Sequence, residues 1–321
     1  MVHNLPDNPR ILIIKLSSLG DVIHAIPTVN ALSRELKPSC IHWVAQPEYH
    51  ELISCCPNIQ RTIPFYRRSF FLDLNPWLNA LRSEAYDLVI DLQGIFKSSL
   101  NALVSRSTRR IGPARSREGA RLLYHDTVEA GDIQRHAVDL NLDVLDHLGL
   151  ERGVARFEME LPAAELDAAA PRVGIAPFSR HAYKNWPQDD FIRVASRIQD
   201  LYNSTIIFVG SRDDAPACEA MREALGPSTI NTAGRTSLVE LASLLGDLDV
   251  LISNDSGPMH IASAVGTPVV GLFTGTDPRC YGPYGDRHQV LSALDGDEIS
   301  VQSVATATGE ILTRRLTNPI S

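Results

Sequence analysis

The feature that most limits what this chain can fold into is an alternation of short, wholly apolar runs with longer stretches of helical period, and it occurs twice. Ile11 to Ile14 reads as a strand buried on both faces, and Asp21 to Leu36 then sets Val22, Ile26, Val29 and Leu32 on one helical stripe. Ile41 to Ala45, Leu88 to Ile90 and Arg110 to Gly112 follow as strands. Gln134 to Leu148 follows as a helix, with Val138, Leu142 and Leu145 on one face and Gly149 as its stop. From Arg152 to Pro171 the pattern weakens, as in a connection. It resumes with strand Val173 to Ala176, helix Asp189 to Leu201 carrying Phe191, Val194, Ala195 and Ile198, and strand Thr205 to Val209. Helices near Ala215 to Leu225 and Leu238 to Leu245, strand Val250 to Ser253, a helix after Gly257 and strand Pro268 to Phe273 complete the second series. Val301 to Leu316 closes the chain as a weakly amphipathic helix.

Such alternation specifies parallel sheets covered by helices. Two series in 321 residues imply an α/β protein of two Rossmann-like domains, residues 1–160 and 171–321, with the last helix expected to pack back on the first domain. Ligands of such sheets bind at the carboxyl ends of the strands, here expected in a cleft between facing domains.

Charge narrows the partners. Lys and Arg total 30 against 38 Asp and Glu, a formal charge of -8, which disfavours general nucleic-acid binding. The distribution is uneven, with 16 of each sign in residues 1–150 and therefore 14 against 22 in the remainder. Within the neutral half, Arg106, Arg109, Arg110, Arg115, Arg117 and Arg121 are interrupted only by the acidic Glu118. The five cysteines form no C-x-x-C pair or zinc spacing and read as reduced thiols of a cytoplasmic protein. No apolar run reaches the roughly 20 residues needed to span a bilayer, and the first ten residues lack a signal-peptide core.

Three strand-to-helix loops carry residues suited to chemistry. Lys15 to Asp21 places backbone N–H groups and a helix N-terminus at a strand end, a natural anion site, although it matches neither G-x-G-x-x-G nor a Walker A loop. Its Asp21 is either a helix cap or a carboxylate offered to a ligand. Ser253 to His260 repeats the arrangement, with Asp255, Ser256 and Gly257 at the turn and His260 one helical turn on. Asp255 repels a diphosphate and so suits sugar or ribose hydroxyls or a neighbouring lysine. Pro177 to Pro187 adds Ser179, Arg180, His181 and Lys184, a set able to hold a leaving diphosphate or simply to form a solvated loop. Asp213 and Asp214 stand at a helix start, where acids are common. There is no H-E-x-x-H array and no G-x-S-x-G elbow, so neither a metal site nor a serine triad is expected.

Together these segments resemble glycosyltransferase family 9, the heptosyltransferases of lipopolysaccharide core assembly. The resemblance rests on ILIIKLSSLGDVIHAIP at 11–27, YDLVIDLQGIFKSSL at 86–100, Lys184-Asn185-Trp186-Pro187 and NDSGPMHIASAVGTPVVGLFTGTDP at 254–278. It extends to Tyr284 and includes Arg117-Glu118 and Arg135 to Val138, and the central segments look most similar to the heptosyltransferase I type.

The resemblance implies a GT-B fold, an ADP-heptose donor and inverting transfer with no cofactor or metal. Asp21 matches the family's proposed general base, and Lys184 would steady the leaving group. The nucleotide-sugar site is carried over onto Gly20, Ser179, Lys184, Asp214, Thr236, Asp255, Ser256, Gly257 and His260. Pro177-Phe178-Ser179-Arg180 departs from the family's usual form, which weakens the case for Ser179. On the acceptor side, Arg67, Arg68 and Arg117 match basic residues facing an anionic glycolipid of the Kdo-lipid A type. Phe65, Tyr66, Phe70, Phe71, Leu72 and Trp77 would rest against the inner face of the cytoplasmic membrane, making the protein a peripheral one. Rival readings are transfer to another glycan or a protein, a GT-B nucleotide-sugar epimerase, and a two-domain binding protein without catalysis.

Overall fold

Ile11, Leu12, Ile13 and Ile14 have no accessible surface, as a strand covered on both faces requires. The computed structural model describes residues 5–66, 74–164, 166–294 and 298–317. The chain divides into two compact units, Met1–Glu160 and Leu161–Ser321.

The first unit runs β1 (Arg10–Ile14), α1 (Leu19–Leu36), β2 (Cys40–Ala45), α2 (His50–Ser54), β3 (Arg61–Pro64), α3 (Leu74–Arg82), β4 (Ala85–Asp91), α4 (Phe96–Val104), β5 (Arg106–Pro113), β6 (Asp126–Val128) and α5 (Ala137–Leu148). Its strands form one parallel sheet in the order β3-β2-β1-β4-β5-β6. Leu12, Ile14, Val44 and Val89 pack on one face with Trp77 and Leu81 of α3 and Ala102 of α4. Helix α1 is buried without interruption from Val22 to Leu32, with α5 packed along it, so the single stripe expected from its sequence understates its burial.

Two local corrections matter for the site. Helix α1 begins at Leu19, with Ser18 as its N-cap, so Asp21 is the third residue of the first turn rather than the first of the helix. Phe65 and Trp77, expected at a membrane surface, are 3% and 4% exposed. Their rings meet edge to face at 6.3 Å, and the Trp77 indole N–H donates to Asn101 Oδ1 at 2.9 Å, so they are core residues. Tyr66 remains exposed. Phe70, Phe71 and Leu72 lie outside the described residues.

The second unit runs β7 (Arg172–Ala176), α6 (Gln188–Tyr202), β8 (Thr205–Phe208), α7 (Ala215–Leu225), β9 (Thr229–Asn231), α8 (Leu238–Gly246), β10 (Val250–Asn254), α9 (Gly257–Ala264), β11 (Val269–Phe273), α10 (Pro278–Tyr281), β12 (Gln289–Ser292) and α11 (Val301–Thr317). The sheet is again six-stranded and parallel, in the order β12-β11-β10-β7-β8-β9. Val173, Ile175, Ile206, Phe208, Val250 and Ile252 form a core with Phe191 and Val194 of α6, Met221 of α7, and Val304 and Ile311 of α11. The closing helix α11 packs on α6 and on β10 to β12 of its own unit.

Among the described residues no helix is long and apolar enough to cross a membrane. Phe191, fully buried, meets the Trp186 ring edge to face at 5.0 Å, and the Trp186 indole N–H donates to Ile299 O at 2.9 Å. Phe191→Ala is expected to destabilise the second unit by about 3–5 kcal/mol, read as a lowered urea midpoint for that unit.

Candidate active site

In each sheet the chain reverses its direction of growth once, between β1 and β4 and again between β7 and β10. In open α/β sheets ligands bind outside the carboxyl ends of such strands.

In the first unit the β1–β4 ladder ends at Ile14 and Asp91, after which the strands diverge toward α1 and α4. The loop after β1 contains a cis Ser17–Ser18 peptide and leads into α1. Asp21 Oδ2 accepts from the Ser18 N–H and from Ser18 Oγ, both at 2.9 Å, as the carboxylate arm of a capping box. Asp21 Oδ1 lies 3.5 Å from Lys15 Nζ. Lys15 is buried and donates to Leu92 O at 2.7 Å. Asp21 keeps 39% of its side chain accessible, so the group that caps the helix also faces outward. Burial pushes its carboxyl up, but the Lys15 charge and the Ser18 hydrogen bonds outweigh that and hold it below its ordinary value. Gly20 is buried in the same turn.

Three residues of this half were not singled out from sequence: Lys15 as the charge behind Asp21, Asp91 and Gln93. Asp91 is buried at the end of β4 and accepts from the Gln93 and Gly94 N–H groups at 2.8 and 3.2 Å and from Tyr124 Oη at 2.6 Å. Burial raises its pKa despite these bonds, and burial together with the Asp91 charge raises that of Tyr124. The available signal was an acid directly after the apolar run Leu88-Val89-Ile90, where a buried strand meets its loop. Arg117 is exposed, and its backbone N–H donates to Gly94 O at 2.8 Å. Arg67 and Arg68 lie outside the described residues. The basic run separates by role: Arg109 pairs with Asp126 at 2.6 Å and Arg110 donates to Leu123 O at 3.1 Å, while Arg106, Arg115, Arg117 and Arg121 are exposed.

In the second unit Lys184 Nζ donates to Asp255 Oδ2 at 2.6 Å, the two side chains being 17% and 7% exposed. Thr276 Oγ1 donates to the same oxygen at 2.6 Å, and His260 Nε2 stands 3.8 Å from Asp255 Oδ1. Asp255 thus engages the neighbouring lysine, one of the partners its charge allowed. Ser256 is the N-cap of α9, and its Oγ is 3.1 Å from Ser253 Oγ. Gly257 opens the helix, and Pro258 supplies no N–H there, so the Gly257, Met259 and His260 amides are its leading donors. Asn254, fully buried, holds the facing loop: its Oδ1 accepts from Trp186 N–H at 3.0 Å and its Nδ2 donates to Pro177 O at 2.7 Å.

Ser179 turns inward on its own loop, its Oγ lying 2.9 Å from Asn185 Oδ1 and 2.8 Å from His181 O. Asp214 is the N-cap residue of α7, and its Oδ2 accepts from Ser211 N–H and Oγ at 2.7 and 2.6 Å. Thr236 sits in the loop after β9, immediately before Ser237, the N-cap of α8. All of these lie at the carboxyl edge of the second sheet. Among the described residues no group of three or more His, Cys, Asp or Glu side chains is placed to hold a metal ion.

The sequence profile of glycosyltransferase family 9 (heptosyltransferase) matches residues 77–307. The chain belongs to this family. It is 26% identical to the lipopolysaccharide core heptosyltransferase OpsX of Haemophilus influenzae over 88% of this chain and 84% of that protein. It is 28% identical to lipopolysaccharide heptosyltransferase 1 of Pseudomonas aeruginosa over 89% and 84%. The structure of a family 9 glycosyltransferase from Veillonella parvula matches with a TM-score of 0.86 at 24% identity, covering 96% of this chain and 98% of that one. Heptosyltransferase WaaC of E. coli, solved with ADP, gives 0.82 at 22%, covering 94% and 99%. The fold is GT-B, as the motifs implied, and this family 9 member is a glycosyltransferase of the heptosyltransferase type.

Asn254→Ala strands a buried N–H and a buried carbonyl at once. It is expected to lower the stability of the second unit by about 2–4 kcal/mol in urea denaturation, a loss that Asn254→Asp repairs only on the accepting side.

Proposed function

We propose that this glycosyltransferase moves heptose from ADP-heptose to the Kdo or heptose of a lipopolysaccharide inner core, with inversion and with Asp21 as general base. The state of Asp21 carries the reading: a carboxylate held ionised by Lys15 and Ser18 yet open to solvent, at the switch point of its sheet. The donor and acceptor classes are supported by similarity to lipopolysaccharide heptosyltransferases and to a solved heptosyltransferase holding ADP-2-deoxy-2-fluoro heptose.

The step is a single displacement. The acceptor hydroxyl oxygen bonds to the anomeric carbon, the bond from that carbon to the diphosphate oxygen breaks, and ADP leaves with the electron pair. Oδ1 of Asp21, the oxygen not occupied by Ser18, takes the hydroxyl proton. A carboxylate of depressed pKa is always ready but weakly basic, so the proton moves late, after bond formation has acidified the acceptor oxygen. Charge growing on ADP falls to Lys184, the leading N–H groups of α9 and His260. Because Lys184 is already paired with Asp255, its remaining ammonium protons meet the diphosphate, while Asp255, Asp214 and Thr236 meet hydroxyl and base groups of the donor. The reading calls for no resident metal or cofactor, since these cations supply the electrostatic part of a non-redox transfer. Arg117, with Arg67 and Arg68, binds acceptor carboxylates or phosphates at the cytoplasmic membrane face.

Asp21→Ala is expected to lower turnover by about 10²–10⁴ with ADP affinity nearly intact; undiminished turnover removes Asp21 as the base. Lys184→Ala should raise the donor KM more than the acceptor KM, and identical donor saturation curves reject its role. The pH dependence has a definite sign. A base of depressed pKa stays ionised until the pH falls below its ordinary carboxylate range, so the rate that depends on Asp21 is lost only on that acid side. Lys15→Met removes the opposing charge and moves the acid limb of kcat/KM to higher pH.

A transfer assay with ADP-heptose against truncated lipid acceptors, read by product mass, tests donor and acceptor together. Consumption of ADP-heptose without acceptor would point to an epimerase, and unchanged ligand with acceptor present to a binding protein.

A further inference from the structure

The β1–β4 ladder ends at Ile14 and Asp91, and two further bonds extend the tie between the strands: Leu92 N–H donates to Ile14 O at 2.9 Å, and Lys15 Nζ donates to Leu92 O at 2.7 Å. At the next residue a side chain takes over. Gln93 Oε1 accepts from Leu16 N–H at 3.0 Å and from Ser17 N–H at 3.2 Å. Its own backbone N–H is held by Asp91 Oδ1, and the other Asp91 oxygen is held by Tyr124. A chain of hydrogen bonds therefore runs from Tyr124 through Asp91 and Gln93 to the loop from which Ser18 caps Asp21.

The two backbone donors dictate which end of the Gln93 amide is oxygen, because an NH₂ group cannot accept them. That leaves Nε2, with two N–H donors, as the opposite end. Gln93 is only partly buried, and Nε2 has no acceptor among the described residues. A half-used amide at a sheet switch point, bonded directly to the loop that leads to Asp21, is arranged for an oxygen-rich ligand.

We infer that Gln93 is a two-ended residue of the transfer site: its carbonyl end positions the base-bearing loop, and its amide end donates to a hydroxyl or carboxylate oxygen of the acceptor sugar. The first role rests on the reading of Asp21 as base; the second does not. The charged and titratable groups linked through its hydrogen-bond partners and chain neighbours are Lys15 and Asp21 on the β1 side, Asp91 and Tyr124 on the β4 and β5 side, and Arg117, whose N–H donates to Gly94 O.

Gln93→Glu separates the two roles, because a carboxylate still accepts from Leu16 and Ser17 but cannot donate. With ADP-heptose and a Kdo-bearing lipid A acceptor, it is expected to raise the acceptor KM by about 10- to 100-fold with the donor KM unchanged. It should also move the acid limb of the pH profile upward, since a second carboxylate beside Asp21 opposes its ionisation. Gln93→Ala loses both ends and should lower kcat as well, by about 10- to 100-fold. A wild-type acceptor KM and acid limb in Gln93→Glu overturn the inference, and that variant decides the matter even if Gln93→Ala fails to fold. Asp21→Asn, measured alongside, keeps the two readings apart: wild-type turnover there removes the base and with it the positioning role, while the acceptor KM of Gln93→Glu still judges the donor role.

Discussion

Neighbouring parallel strands that part company leave backbone N–H and C=O groups with no ladder to join, and both units meet that constraint with an amide side chain. Gln93 follows β4 and serves the loop after β1; Asn254 ends β10 and serves the loop after β7. A buried peptide group without a partner costs enough that such a gap must be filled. A side-chain amide fills it while letting the two loops diverge, which is where ligands of open α/β sheets bind. The site exists where it does because the sheets cannot continue there.

On this frame each unit sets a lysine against an aspartate, with different outcomes. In the first the lysine is buried and the aspartate open, so the cation acts from behind to keep the carboxylate ionised. In the second both groups are largely buried at 2.6 Å, with Thr276 on the shared oxygen, so the pair is a fixed element of the loop beside the α9 N-terminus. In the proposed mechanism the same two residue types serve proton transfer in one unit and leaving-group binding in the other.

Much of this was legible in the chain. Strands such as Ile11 to Ile14 and Val250 to Ser253 announce themselves because burial on both faces demands continuous apolar residues. Gly149 closes α5 in the left-handed conformation, as its position suggested. The motif loops were found because strand-to-helix turns concentrate polar residues beside apolar runs. β5 was seen only in part because Arg106-Ser107-Thr108-Arg109-Arg110 carries polar groups on a strand whose outer half is partly open, and its charge reads as a patch when Arg109 is already neutralised by Asp126. Trp77 and Phe65 were misplaced because aromatic residues next to arginines look interfacial in one dimension, whereas α3 turns Trp77 into the core.

By itself the sequence determined the class of fold, the order of elements and the identity of the loops, since these follow from periodicity and from local capping and turn chemistry. Only the tertiary structure decided which side chains meet. Lys15 lies six residues from Asp21 and Gln93 more than seventy from Leu16, and no local rule brings them together. Their contacts depend on β1 and β4 being neighbours in the sheet, a pairing set by how the whole unit buries its apolar surface.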